Sequence, residues 1–577
     1  MSAKKLNQEY YLINFTLLII LFDMEYVKSI AECIKAVEVI NCFGNDKSLI
    51  NSMEYDSRKV QPCGVDDKTD LKKGAAFFAL PGIHTDGKKF INSAIENGAV
   101  CVFYEGDLKA ADAADKTDAA TIEKAKDVCF VQVDDVRKTM SKVSAFLYDE
   151  PSKALGVIGV TGTEGKSSTV SFIFQLLNLC GKKAGFFSTV EYSIDGKVIP
   201  NPEHQTTPES NIVQQRLAQM RDAGCSFAVV ESSSHGLSPR TARLEDVIFD
   251  AGVFMNVTQE HLEFHGTIEQ YRYDKANLFR ALDKNKGKGM PIFGVVNYED
   301  MSAPYFMEAT QKNVYPFSTE IKDLKKIEEY EGLFAKDIEE SSNGIKFTLC
   351  DFSSKKEYRS ELKLAGIFNV KNILASVLAV QKITGLDIEA IIEKLSLVKP
   401  VKGRMMLIDE GQDFEVLIDY AHTPSSFMTI FPSIKSRIEK SGGKVISLFG
   451  SGGERDIKKR PEQGRIAALY SDIVILADED PRGEDSVELL EMIAAGCPEK
   501  KRNEELFIIP DRPSAIKKAF SLAGKNDAVL LLGKGHENSI IFKDRTMPYD
   551  EETTARELLK EMLRKKTNPC TKVQSLL

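Results

Sequence analysis

The sequence predicts an α/β protein of three domains with mainly parallel sheets, a central nucleotide-binding domain and a Rossmann-like last domain, and three observations carry this. The chain has 577 residues, more than one hydrophobic core organises. Short apolar runs alternate with helix-period stretches, as in parallel sheets crossed by helices. The alternation restarts twice, at Pro151 and after Pro400.

Residues 1–50 read as an N-terminal extension and the start of the first domain. Tyr11 to Phe22 (YLINFTLLIILF) is apolar over twelve residues, short of the roughly 20 that span a bilayer. No small-residue cleavage site precedes Asp23-Met24-Glu25, so a buried helix, or an extension upstream of a start at Met24, is expected rather than a signal or anchor. Residues 51–150 carry AAFFALPG, FINSAIENG, AVCVFYE, VCFVQVDD and a helical stretch from Thr139 to Tyr148, a small α/β domain. Asp107 to Lys126, rich in Ala, Asp and Lys, reads as a solvated surface insertion.

Residues 151–398 open with a buried-strand run, Leu155 to Val160, then a Gly/Thr loop and a helix from Lys166. Further strand-like runs lie at 227–232, 251–257 and 293–298, and Lys322 to Ser342 reads as a charged patch. Residues 399–577 repeat the pattern with EVLIDYA, VISLFGS, DIVILAD, LFIIPD and AVLLLGKG.

The 76 Lys and Arg against 85 Asp and Glu, net charge -9, exclude a general basic surface for nucleic acid. Phosphate binding must be local. The ten Cys form no CxxC pair and no zinc-spaced cluster, which fits reduced thiols in a cytoplasm.

The local phosphate site reads Gly159-Val-Thr-Gly-Thr-Glu-Gly-Lys-Ser-Ser168 between strand and helix. Such a loop aims backbone N–H groups and a helix N-terminus at phosphate, with Lys166 bridging phosphates and the Ser167 hydroxyl on magnesium. Strict P-loop spacing needs Gly where Val160 stands, so the pattern alone leaves an ordinary tight turn open. Glu231 ends an apolar strand, from where a carboxylate can reach a metal over the phosphates.

Thr161 to Ser167 resembles the TGTNGKT loop of the Mur ligase family, with Glu164 where that family has Asn. Glu231-Ser-Ser-Ser-His-Gly-Leu237 resembles its EVSSHxL, and Asn256 to Gly266 its NLxxDHLDxHG. Tyr271 to Phe279 is similar to the helix bearing its carbamylated lysine, here Lys275. Gly366 to Asn372 resembles GxFNxxN, and Gly403-Arg404 and Asp419 to Pro424 resemble the GR and DYAHTP segments. The resemblance runs from about Asp56 to Glu537. It implies an ATP- and magnesium-dependent ligase that phosphorylates a carboxylate and lets an amine displace the phosphate. Lys166, Glu231, His261 and Lys275 would be catalytic, with Ser167, Glu231 and His261 on Mg2+. Gly162, Thr163, Glu164, Gly165, Lys166, Ser167, Ser168, Asn369, Asn372, Arg404, Asp419 and His422 would hold ATP.

Asp56-Ser57-Arg58 and Gly82 to Gly87 resemble the family members that add the third residue of the peptidoglycan stem. There Ser57 and His84 would meet UDP, while Thr206, Thr207, Ser233 and Arg243, chosen over Arg240, would meet the muramoyl-dipeptide. Gly450 to Asp456 and Gly533 to Glu537 resemble the GGDRD and GKGHE segments. Arg455 suits the α-carboxylate of a free basic amino acid, because a guanidinium binds carboxylate through two N–H groups. Glu537 would meet an ammonium, and Gly533, Glu479, Asp480 and Arg482 complete the pocket. Diaminopimelate-adding members carry DNPR where this chain has Asp480 in place of Asn. A free carboxylate there would repel a distal carboxylate, which keeps lysine and ornithine beside meso-diaminopimelate as substrates, unless Arg482 pairs with Glu479, Asp480 or Glu484. A monomer without stable membrane insertion is expected. A folylpolyglutamate synthetase-like ligase, or a non-catalytic nucleotide-binding regulator, are the alternatives.

Overall fold

The computed structural model describes residues 25–82, 85–108, 126–203, 205–258 and 260–567. The apolar segment at 11–22, His84 and most of the 107–126 insertion lie outside the described residues. Among the described residues three large sheets follow one another along the chain, each covered on both faces by helices, and a two-stranded hairpin, Ser539–Ile541 with Thr546–Pro548, lies near the end.

The first sheet has parallel neighbours Leu49–Glu54, Lys72–Phe78, Cys101–Glu105 and Cys129–Val133, flanked by antiparallel Lys28–Ser29 and Asn41–Gly44. Two apolar clusters, one around Phe78, Phe103 and Met140 and one around Phe77, Ile91 and Val102, fill its two sides. Helix Val136–Leu147 starts where the Asp135 carboxylate accepts from Arg137 N and Lys138 N.

The second sheet has eleven strands among the described residues. Its parallel heart runs Ala184–Phe187, Phe227–Glu231, Gly156–Thr161, Ala251–Phe254, Phe293–Asn297 and Asn313–Ser318, in that spatial order. The central strand is apolar and fully buried because helices pack on both faces. Strand polarity brings the loops after Thr161, Glu231 and Phe254 to one edge, where ligands bind in parallel α/β sheets. The charged segment 322–342 carries regular structure. It forms helix Leu324–Glu329 and strand Leu333–Ser341, which opens an antiparallel meander with Gly344–Asp351 and Lys356–Leu362. The strand is buried at Leu333 to Ala335, and its charges, Lys336, Asp337, Glu339 and Glu340, follow in the exposed to half-buried second half.

The third sheet has the order Met406–Leu407, Glu415–Asp419, Ala528–Leu532, Val445–Phe449, Ile473–Leu476 and Leu506–Ile508, all parallel except the first pair. Among the described residues no helix is long and apolar enough to cross a membrane. Nine described cysteines are free thiols.

Candidate active site

The phosphate loop is shaped by its glycines and gripped by one asparagine. Gly165, with φ at 83°, precedes helix Lys166–Leu179, and a Cβ there would lie 2.7 Å from Asn372 Oδ1. Asn256 Oδ1 accepts from Thr163 N at 3.1 Å and Glu164 N at 2.8 Å, and its Nδ2 donates to Glu164 O at 3.1 Å. Because Asn256 holds the backbone of residue 164, the Glu side chain there does not set the loop's path. Lys166 Nζ donates to Thr163 O at 2.7 Å, folded over the loop.

Glu231 stands across this loop. Its Oε2 accepts from Ser167 Oγ at 3.0 Å and Thr189 N at 2.8 Å, and its Oε1 accepts from Thr189 Oγ1 at 3.1 Å. The Glu231 carbonyl accepts from Thr207 Oγ1 at 2.8 Å, which in turn accepts from Ser233 N at 3.0 Å. Thr206 is tied in through Thr189, whose hydroxyl donates to Thr206 Oγ1 at 3.1 Å.

Lys275 is 1% exposed, and its ammonium nitrogen donates to Gly162 O at 2.6 Å. Burial, reinforced by Lys166, pushes its amine well below the usual lysine range, with Glu260, Glu231 and Glu164 opposing. This shift favours the neutral, nucleophilic form of the amine. Tyr271 from the same helix lies under Lys275 and shares a hydrogen bond of 3.1 Å with Thr163 Oγ1.

His261 is held in the left-handed region, φ 56°, and is 41% exposed between Glu260 and Glu263. Its ring meets His235, which burial and the neighbouring His261 depress to about 3. His265 is engaged elsewhere, with Nδ1 on Asp274 at 2.8 Å and Nε2 on Ser234 Oγ at 3.0 Å. Among the described residues no three His, Cys, Asp or Glu converge on one metal position. Ser167 and Glu231 offer hard oxygen donors, a set that suits a magnesium ion completing its shell with phosphate and water.

Helix Asn369–Thr384 of the central domain and the first loops of the last domain supply the residues expected around the rest of the nucleotide. Asn369 and Asn372, on helix Asn369–Thr384, are joined by a 2.9 Å hydrogen bond, and Thr169 Oγ1 donates to Asn372 Oδ1 at 3.4 Å. Asp419 accepts from Met405 N at 2.8 Å and Ala421 N at 2.7 Å. Burial raises its carboxyl to about 6 against the pull of Arg404, and Glu164 adds to the rise. Arg404 packs on the Tyr420 ring with its Nε unpartnered, and His422 Nδ1 shares a 2.8 Å contact with Tyr420 O.

On the opposite side, Asn211 Nδ2 donates to Met53 O at 2.9 Å and joins the first sheet to the second. Ser57 follows directly, buried in the short turn Ser57–Lys59, which Asp56 caps while pairing with Arg58 at 2.7 Å. Arg243 donates to Thr207 O at 2.9 Å and to Glu209 Oε1 at 2.7 Å, whereas Arg240 stacks on Phe264, half-exposed.

In the amino-acid region Arg455 is exposed on its loop. Asp480 accepts from Lys534 Nζ at 2.9 Å and Ile541 N at 3.0 Å. The carboxylate expected to repel a distal carboxylate is therefore already partnered by a buried cation. Arg482 pairs with none of the three suggested acids: Glu484 is bonded to Arg460 at 2.7 Å, and among the described residues Arg482 makes no ion pair. Glu479 Oε2 and Arg482 Nε are buried without partners.

Known proteins match along this whole arrangement. Residues 50–148 match the Mur ligase family, catalytic domain; residues 160–380 match the Mur ligase middle domain; residues 403–535 match the Mur ligase, glutamate ligase domain. A UDP-N-acetylmuramyl-tripeptide synthetase of Treponema denticola is 89% identical over 536 residues, covering 93% of this chain and 98% of the relative. The chain belongs to the Mur ligase family.

A synthetase of the same name from Treponema pallidum is 46% identical, covering 94% of this Mur ligase and 99% of its own length. Among solved structures, a UDP-N-acetylmuramoyl-L-alanyl-D-glutamate--2,6-diaminopimelate ligase superposes with TM-score 0.60 at 25% identity, covering 93% of this chain and 99% of its own. A Mycobacterium tuberculosis folylpolyglutamate synthase complexed with ADP and AMPPCP has TM-score 0.53 and 15% identity, covers 69% of this chain and 92% of its own, and speaks for the fold alone.

Several residues that organise the site of this Mur ligase escaped the sequence reading. Asn256 and Thr189 were legible, because each follows a buried strand at the phosphate edge. Arg512 was not. Its guanidinium is fully buried, chelates Glu551 at 2.7 and 2.8 Å, and donates to Leu532 O at 2.7 Å and Asp478 O at 3.3 Å. Those carbonyls lie just before Gly533 and Glu479, so Arg512 ties both loops expected to take the amino acid to the last helix. Arg512→Lys loses the two-pronged bond, and KM for the amino acid is expected to rise about tenfold with KM for ATP unchanged. Initial rates against each substrate check this; equal rises in both constants contradict it.

Proposed function

We propose that the chain is the ATP-dependent ligase that joins a diamino acid to UDP-N-acetylmuramoyl-L-alanyl-D-glutamate in peptidoglycan synthesis. The observation that carries this reading is the convergence on one loop of Lys166, Ser167 with Glu231, and the buried amine of Lys275, beneath Arg404 and Asp419. The relatives' names supply the substrates.

The residues divide the work. Loop N–H groups from Gly162 to Ser168 and Lys166 receive the nucleotide phosphates, while Asn369, Asn372, Arg404, Asp419 and His422 flank the rest of ATP. The γ-phosphoryl passes to the substrate carboxylate; the incoming amine then attacks that carbonyl, forms the amide bond, and expels phosphate. Magnesium, when bound, would neutralise charge on the transferring group, and Ser167 and Glu231, with His261 assigned beside them, would be its protein donors. Lys275 adds as a neutral amine to carbon dioxide and loses a proton, becoming a carbamate that turns a buried cation site into an anionic one. Ser57 and His84 are assigned to UDP, Thr206, Thr207, Ser233 and Arg243 to the muramoyl-dipeptide, and Arg455 and Glu537 to the α-carboxylate and an ammonium. We assign the activity to the cytoplasm, in keeping with nine free thiols, and to a monomer.

The experiment is phosphate release from ATP with UDP-muramoyl-L-alanyl-D-glutamate and, separately, meso-diaminopimelate, L-lysine or L-ornithine, with product masses read afterwards. Release dependent on one amino acid, with the matching tripeptide mass, supports the reading. Release with a folate and glutamate instead would move the chain to the folylpolyglutamate class, and ATP binding without any amide product would make it a regulator.

Asp419 gives the reading a pH test. Its folded-state carboxyl is raised to about 6, so it favours the folded chain below pH 4 and withdraws that contribution as pH rises through 6. The stability of the wild type relative to Asp419→Asn is expected to fall by about 3 kcal/mol between pH 4 and pH 7. Denaturant unfolding of both proteins measures it, and a flat difference refutes the raised carboxyl.

A further inference from the structure

Lys534 lies inside the amino-acid region, yet no step above uses it. Its side chain is fully buried, and its ammonium donates to Asp480 Oδ1 at 2.9 Å and Glu537 Oε2 at 2.5 Å. The two acids come from different loops, one after strand Ile473–Leu476 and one after Ala528–Leu532. Their side chains are 12% and 31% exposed while that of Lys534 is 0% exposed, so the acids front the pocket and the cation stands behind them. Glu537 Oε1 also accepts from Tyr420 OH at 3.1 Å. Beside them Glu479 Oε2 and Arg482 Nε are buried without partners.

Lys534 is bonded to both Asp480 and Glu537, so without it those two carboxylates would lose their shared counter-charge, in a region whose burial weakens solvent screening.

We propose that Lys534 is a specificity-determining residue of the amino-acid pocket: by offsetting Asp480 and Glu537 from behind, it sets the negative charge that a substrate's distal carboxylate meets. It thereby governs the choice between a diamino acid that carries a distal carboxylate and one that lacks it. This rests on the ligase reading above, and it replaces a rule written on Asp480 alone with one written on the balance of three side chains.

The test is competition in the full-length enzyme, with ATP, magnesium and UDP-muramoyl-dipeptide, between equimolar meso-diaminopimelate and L-lysine, read as the mass ratio of the two tripeptides. Lys534→Met keeps the volume and removes the charge, and is expected to shift the ratio toward lysine by about tenfold. Asp480→Asn removes one acid and is expected to shift it the other way, toward diaminopimelate; if the methionine variant does not fold, Lys534→Gln removes the same charge and must shift the ratio toward lysine. Ratios within about twofold of wild type, or shifts of both variants in one direction, overturn the proposal. Absence of tripeptide from the wild type would instead overturn the ligase reading itself, which the unmutated enzyme reports independently.

Discussion

Lys275→Ala is expected to lower kcat by about a thousandfold, with KM for ATP changing little, because a preorganised charge in a buried site is lost. The side chain is buried, its amine driven toward the neutral form, and its nitrogen fixed on Gly162 O at 2.6 Å beside the phosphate loop. If Lys275 works as a carbamate, the missing group is a small carboxylate. Added acetate is then expected to restore part of kcat in the alanine variant and none in the wild type. A carbon-13 carbamate resonance should appear in wild type supplied with labelled bicarbonate and be absent from the variant. Full activity of Lys275→Ala would remove this lysine from the mechanism.

Lys166→Met is expected to cost about a hundredfold to a thousandfold in kcat, with the amino-acid KM unchanged. Lys166 Nζ caps the loop through Thr163 O at 2.7 Å, and the methionine keeps the stem while removing the charge that faces the phosphates. Single-turnover transfer from labelled ATP separates loss of phosphoryl transfer from loss of amine attack. A defect confined to amine attack would show that Lys166 does not serve the phosphates.

Much of this arrangement was legible because parallel sheets write themselves plainly. The run Leu155 to Val160 is apolar at every position apart from glycine since both faces of its strand are covered, and the loop that follows must lie at the ligand edge. The charged segment 322–342 hid a helix and a strand, because a strand near the antiparallel end of a sheet leaves much of its length to water and reads in sequence as surface. The surroundings of Asp480 were hidden for a different reason. Its partner Lys534 is 54 residues away, and a charge seen in sequence carries no mark of the cation that folding brings to it. Arg512 and Glu551 illustrate the same limit: nothing in their local sequence distinguishes a fully buried pair from two surface charges.

Tyr420 connects two parts of the molecule described separately above. Its ring lies 4.9 Å from the Arg404 guanidinium carbon and 4.8 Å from the ring of His536, and its hydroxyl reaches Glu537 at 3.1 Å. One aromatic side chain thus touches Arg404, proposed to flank ATP, on one side and Glu537, proposed to meet the amino acid, on the other. On that assignment both ligands bear on the same ring, which would make them thermodynamic partners. Whatever factor ATP imposes on amino-acid affinity, the amino acid must impose on ATP.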